Sequence, residues 1–121
     1  MAVGENFGNA GRLFVDCDDT LVRWLDPLEG RLTTEWEPNA AVVAFVELWV
    51  KDHPRGKLIV WSTGGSRYAA RWGELILPHL KWQSESKRPH VPIPGDLFLD
   101  DDPLPSFAEA TLHPRTLGVL P

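Results

Sequence analysis

The chain has 121 residues, which is enough for one compact domain with its own hydrophobic core and too few for two. Its formal net charge of −5 argues against tight sequence-independent binding to nucleic acid, because such binding needs a basic face. The single cysteine, Cys17, excludes an internal disulfide and favours a reducing compartment. No segment is apolar over the length of a membrane span, and residues 1–11 lack the apolar segment of a signal peptide. We therefore expect a cytoplasmic single domain over residues 1–121, with a flexible start over residues 1–11.

The first predicted element is a buried strand over residues 12–16. Its apolar residues lead directly into Asp16, and Asp18 follows one position further on. Two carboxylates this close repel each other unless a cation joins them, and hard oxygen ligands favour Mg²⁺. In open α/β sheets, ligands bind beyond the carboxyl ends of the strands. Taken alone, the Asp-x-Asp pattern is also compatible with an acidic turn that binds nothing.

The next segment, residues 22–37, predicts a short β-hairpin or flap. Pro27 and Gly30 interrupt it, and tryptophans alternate with polar residues along it. Asn39 then predicts the N-cap of a helix over residues 40–51. The buried side of that helix is expected to consist of Val42, Phe45, Val46 and Trp49.

A second apolar strand is predicted over residues 57–61, and Ser62 follows it. The Ser62 hydroxyl can donate to a phosphoryl oxygen, and Gly64 lets backbone N–H groups approach an anion at the start of the next helix. Thr63 takes the place of Ser62 if the strand ends one residue later. A glycine-rich turn without a ligand is the alternative. The buried side of the following helix, residues 66–77, is expected to consist of Tyr68, Trp72, Leu75 and Ile76.

The last part of the chain predicts two acidic positions after a third strand, and a lysine before it. Asp100 and Asp101 follow that strand, and Lys87 lies in the proline-containing segment that precedes it. We expect an edge strand at residues 79–82, a loop at residues 84–95 and the strand before Asp100 at residues 96–99. A short helix at residues 107–110 and a final strand at residues 116–120 are expected to follow.

The chain therefore carries four groups in this order: two carboxylates, a hydroxyl followed by glycines, a lysine and two further carboxylates. This set resembles the haloacid dehalogenase (HAD) superfamily of phosphotransferases over about residues 12–119. The resemblance implies a three-layer Rossmann-like α/β domain with a central parallel sheet in the order 5-4-1-2-3. These numbers count the five expected sheet strands along the chain and leave out the flap, so that 1 is the strand at residues 12–16, 2 the strand before Ser62 and 4 the strand before Asp100. The intervals between the motifs are too short for a cap domain. The expected protein is thus a capless member with an open site and only the flap at residues 22–37.

The resemblance also implies a role for each motif. Asp16 is expected to be the nucleophile that forms an aspartyl-phosphate, and Asp18 the general acid and base whose backbone carbonyl also binds the metal. The implied activity is a Mg²⁺-dependent phosphomonoester hydrolase for bulky or macromolecular phosphorylated substrates. The expected phosphate-binding residues are Ser62, Thr63, Gly64 and Lys87, and the expected metal-binding residues are Asp16, Asp18, Asp100 and Asp101.

Two other functions and two other cations remain open at this point. A polynucleotide 3′-phosphatase would use the same chemistry, and a HAD-like module would bind a partner or phosphoryl ligand without turnover. Lys81 and Arg88 compete with Lys87 as the phosphate-binding cation. A local basic rim for a polynucleotide end would consist of Arg67, Arg71, Lys81, Lys87 and Arg88. Cys17 is expected to be a core residue that faces away from the two aspartates.

Overall fold

The central element of the fold is β1 (Arg12–Asp16), which lies inside a parallel sheet. It pairs on one side with β4 (Lys57–Ser62) and on the other with β6 (Leu97–Leu99). β5 (Gln83–Ser86) extends the sheet beside β4, and β7 (Thr111–Leu112) pairs with β6. The computed structural model describes residues 11–25, 35–87, 96–101 and 111–114. The predicted α/β class with a parallel sheet is confirmed.

Two helices, α1 (Ala40–Asp52) and α2 (Ser66–Ile76), pack on the same face of this sheet. The period of two along a strand sends Leu13 and Val15 towards the helices. Phe14 points to the opposite face, where it packs with Ile59, Trp61 and Phe98. Among the described residues, neither helix has the length and apolar character needed to cross a membrane.

The described helices form one layer, so the three-layer Rossmann-like arrangement stays a prediction. The short helix expected at residues 107–110 and the final strand expected at residues 116–120 lie outside the described residues. β7 is only two residues long, and the five-stranded order 5-4-1-2-3 is therefore also still a prediction. The four longer strands already place β1 between the Ser62 strand and the Asp100 strand.

The predicted hairpin is present as an antiparallel pair of β2 (Val22–Trp24) and β3 (Trp36–Pro38). Trp24 lies opposite Trp36 in this pair, and residues 26–34 between the strands lie outside the described residues. Asn39 caps α1 as expected, because its side chain accepts a hydrogen bond from the backbone N–H of Val42.

Two expectations about the second half of the chain were wrong. The edge strand begins at Gln83 instead of residue 79, so residues 84–86 belong to a strand and not to a loop. The reason is that Trp82, directly before the strand, packs its ring against α2 at Gly73. A Cβ added to Gly73 would lie 2.7 Å from the Trp82 ring. Leu75 was expected to be buried, but it is 55% exposed, because α2 turns Ala69, Trp72, Gly73 and Ile76 inward.

Candidate active site

The residues predicted to form the site meet at the carboxyl end of the sheet. Asp16 ends β1, Ser62 ends β4, and Asp100 directly follows β6. Lys87 directly follows β5, and its backbone N–H donates to the carbonyl of Ser62 at 2.8 Å. Because the strands are parallel and in register, their carboxyl ends share one edge. This is the end of the sheet at which the sequence predicts ligand binding.

Three carboxylates form a group that we call the carboxylate cluster: Asp16, Asp100 and Asp101. Each contributes one oxygen, and these oxygens lie within 4.8 Å of one another. Asp16 and Asp100 are buried, at 8% and 3% exposure. Thr20 lies between Asp16 and Asp101 and forms a hydrogen bond with each of them. Its hydroxyl donates to Oδ2 of Asp16 at 3.3 Å and accepts the backbone N–H of Asp101 at 3.1 Å.

Lys87 supplies the positive charge beside the carboxylate cluster. Its Nζ donates to Oδ1 of Asp16 at 3.2 Å and also forms an ion pair with Asp100. Burial alone would lower the pKa of Lys87. The hydrogen bond to Asp100 and the charges of both carboxylates outweigh it, so the pKa is raised and the ammonium stays charged. Lys87 is therefore one cation shared by two buried carboxylates.

The positive charge of Lys87 does not offset the effects that raise the pKa of Asp16. Burial and the negative charge of Asp100 raise the pKa of Asp16 to about 8, although Lys87 acts in the opposite direction. A second cation among these oxygens would favour the ionised form of Asp16. Carboxylate oxygens at this spacing could hold a hard divalent metal ion, and Mg²⁺ as that ion stays a prediction.

Asp18 does not join the carboxylate cluster through its side chain. Its Oδ1 accepts hydrogen bonds from the indole Nε1–H of Trp24 at 2.9 Å and from the Tyr68 hydroxyl at 2.7 Å. The side-chain oxygens of Asp18 are therefore not among those of the carboxylate cluster, and the metal contact of its backbone carbonyl stays a prediction. The neighbouring Asp19 is exposed and adopts a left-handed conformation with φ of 61°.

The turn after β4 presents polar groups next to the cluster. The strand ends at Ser62, which is 2% exposed, and Thr63 is exposed. The oxygen of Ser62 accepts the N–H of Gly64 at 2.9 Å, which leaves the hydroxyl hydrogen for another acceptor. Gly65 precedes α2 with φ of 106°, a conformation that L side chains rarely adopt. Ser62 is thus the better placed of the two candidate hydroxyls.

The structure also separates Lys87 from its competitors. Lys81 is exposed and lines a cavity that Lys57, at the amino end of β4, also lines, so Lys81 faces away from the cluster. Arg88 lies outside the described residues. Of the three cations considered, Lys87 is the one that the described part of the chain brings to Asp16.

Sequence reasoning missed three residues that contact the site: Thr20, Trp24 and Tyr68. Thr20 belongs to the first motif, four positions after Asp16, but its two hydrogen bonds depend on the loop conformation. Tyr68 was assigned to the buried side of a helix, and Trp24 to a flap.

Comparison of the chain with protein-family models, with curated proteins and with solved structures found no match in any of the three.

Proposed function

We propose that the protein is a Mg²⁺-dependent phosphomonoester hydrolase that acts through an aspartyl-phosphate on Asp16. The observation that carries this proposal is the shared cation: Lys87 contacts Asp16 and Asp100 at once, beside a third carboxylate. Concentrating buried carboxylates costs stability unless cations offset their charge. A phosphatase uses such a site because the anionic nucleophile and the anionic phosphate must come together.

In the first step, a carboxylate oxygen of Asp16 attacks phosphorus, and the bond from phosphorus to the ester oxygen breaks. Asp18 transfers its proton to the departing oxygen, so an alcohol leaves and Asp18 becomes ionised. The phosphoryl oxygens accept hydrogen bonds from the Ser62 hydroxyl, the Lys87 ammonium and the N–H groups of the turn before α2.

In the second step, Asp18 takes a proton from a water molecule as that water attacks the phosphorus of the aspartyl-phosphate. The bond from phosphorus to the Asp16 oxygen breaks, which releases inorganic phosphate and restores the Asp16 carboxylate. The group that we assign to Asp16, Asp100, Asp101 and the Asp18 carbonyl is Mg²⁺, which offsets the repulsion between carboxylate and phosphate when bound.

The proposal includes the three-layer Rossmann-like HAD fold with the sheet order 5-4-1-2-3, and a cytoplasmic location. Support for the fold comes from β1, which lies between the Ser62 strand and the Asp100 strand. The substrate class that we propose is a bulky or macromolecular phosphomonoester, because the intervals between the motifs are too short for a cap domain.

Phosphate release from an aryl phosphate, with Mg²⁺ and with a chelator, tests the proposal. The informative variant is Asp16→Asn, which keeps the shape of the side chain and removes the nucleophilic charge. We expect turnover to need Mg²⁺ and to fall about 10³-fold or more in this variant. Asp19→Asn is the matched control, since Asp19 is exposed and asparagine tolerates its left-handed conformation. Full activity of Asp16→Asn, or equal activity in chelator, would overturn the proposal.

A further inference from the structure

One oxygen of Asp18 is held from two directions. The Trp24 indole donates to Oδ1 from the hairpin, and the Tyr68 hydroxyl donates to the same oxygen from α2, at 2.9 Å and 2.7 Å. Within the described ranges, no donor reaches Oδ2 of Asp18. Two donors on one oxygen restrict both torsion angles of this short side chain.

Both donor residues belong to a group of packed rings that we call the aromatic cluster: Trp24, Trp36, Tyr68 and Trp72. Trp72 is buried on α2, and the other three rings all meet it edge to face. The ring centroids of Trp36 and Trp72 are 4.7 Å apart, and those of Trp24 and Trp72 are 5.7 Å apart. The hairpin therefore docks on α2 through Trp72, and this docking brings the Trp24 N–H to Asp18.

We propose that Tyr68 and Trp24 are positioning residues that hold Asp18 by Oδ1, so that Oδ2 is the oxygen that delivers the proton to the leaving group. This inference rests on the proposed function, and it adds two residues that touch neither the phosphate nor the metal. A carboxylic acid carries its proton on one oxygen, and the oxygen that already accepts two hydrogen bonds is the poorer place for it.

The donors are suited to this task because they do not change during the reaction. Burial and the hydrogen bond to Asp18 raise the pKa of the Tyr68 hydroxyl, so it stays protonated and remains a donor at neutral pH. An indole N–H does not titrate at all. Both hydrogen bonds to Oδ1 can therefore persist through the reaction.

Leaving-group dependence tests this inference, because a positioned acid matters most when the leaving oxygen is basic. We would measure kcat/KM for phenyl phosphate and for p-nitrophenyl phosphate, since this parameter reports the steps up to the aspartyl-phosphate. For Tyr68→Phe we expect a loss of about tenfold or more on phenyl phosphate. On p-nitrophenyl phosphate, whose leaving group needs no proton, we expect a loss of at most about threefold. Trp24→Phe should give the same pattern.

Trp36→Phe is the matched control, because Trp36 packs on the same Trp72 ring and makes no hydrogen bond to Asp18. It should leave the ratio of the two kcat/KM values unchanged. In an Asp18→Asn background, Tyr68→Phe should also leave this ratio unchanged.

The outcomes separate this inference from the proposed function. A native protein that hydrolyses neither ester overturns both. If the native protein is active and Tyr68→Phe and Trp24→Phe lower both kcat/KM values by the same factor, the inference alone is overturned. A Trp36→Phe variant with the same leaving-group pattern as Trp24→Phe would also overturn it, because packing would then suffice.

Discussion

Lys87 lies 71 positions after Asp16 in the chain, and its ammonium donates to Oδ1 of that carboxylate at 3.2 Å. The same ammonium contacts Asp100, and its side chain is only 10% exposed. One cation thus contacts two buried carboxylates, one at the end of β1 and one directly after β6. This arrangement makes the stability of the site depend on charge.

Removing the shared cation should destabilise the protein. We expect Lys87→Met to lower the free energy of unfolding by about 3 kcal/mol at pH 8 in chelator, because two buried carboxylates lose their ionic contact with the ammonium. Urea denaturation measures the difference. Lys81→Met is the control, since Lys81 is exposed and lies away from the carboxylate cluster. Equal stabilities for the native protein and Lys87→Met would show that the contacts contribute nothing.

The pH dependence of stability should report Asp16. Its pKa is raised to about 8 from the model-compound value of 3.8, so between these values the folded state holds a proton that the unfolded state has lost. The contribution of Asp16 to stability is therefore greatest at low pH and decreases as the pH rises from about 4 to about 8.

Asp16→Asn isolates this contribution, because asparagine does not titrate. In chelator, the variant should gain stability relative to the native protein as the pH rises, by at most about 1.4 kcal/mol per pH unit. Denaturant unfolding at several pH values gives the two curves. Mg²⁺ should reduce the difference between them by favouring the ionised carboxylate. Parallel curves without metal would mean that Asp16 ionises at its ordinary pKa.

The strand ends were predictable from the sequence, because apolar runs identify buried strands and parallel strands align their carboxyl ends. Asp16, Ser62 and Asp100 meet for this reason. Lys87 was harder to place, because the sequence favours it only weakly over Lys81 and Arg88. Only its position after β5 decides between Lys87 and Lys81, and the start of that strand depends on the packing of Trp82 against Gly73.

The contacts of Asp18 were not predictable at all. They require the hairpin to dock on α2 with one particular face, and that docking is set by tertiary packing around Trp72. Periodicity assigned Tyr68 to the buried side of its helix, but it is half-buried and its hydroxyl reaches Asp18. Patterns along a chain indicate which side of an element is buried, and they do not indicate which polar atoms then meet.

Thr20 should be needed for the arrangement of the carboxylate cluster. Thr20→Val keeps the size of this fully buried side chain but leaves Oδ2 of Asp16 and the N–H of Asp101 without the hydroxyl. We expect a loss of about 2 kcal/mol in unfolding free energy and about tenfold weaker Mg²⁺ binding by calorimetry. Thr20→Ser restores the hydroxyl and should bind Mg²⁺ like the native protein. Equal Mg²⁺ affinities of the Val and Ser variants would contradict this role.

Cys17 should be chemically silent in the folded protein. Burial and the charges of Asp16 and Asp18 raise the pKa of its thiol to about 12, so the reactive thiolate is scarce at pH 8. We expect no reaction with an aromatic disulfide reagent under native conditions and one thiol per chain after unfolding in urea. Reaction of the folded protein at the rate of a free cysteine would show that the site opens readily.

Trapping the phosphoryl group tests whether Asp16 is the nucleophile. The protein would be mixed with an aryl phosphate and Mg²⁺, quenched in acid during turnover and digested, and the peptides analysed by mass spectrometry. The proposed mechanism predicts one phosphoryl group on Asp16, removable by hydroxylamine as an acyl phosphate and absent from Asp16→Asn. Turnover by the native protein with no phosphoryl group on Asp16 would contradict the role of Asp16 as the nucleophile.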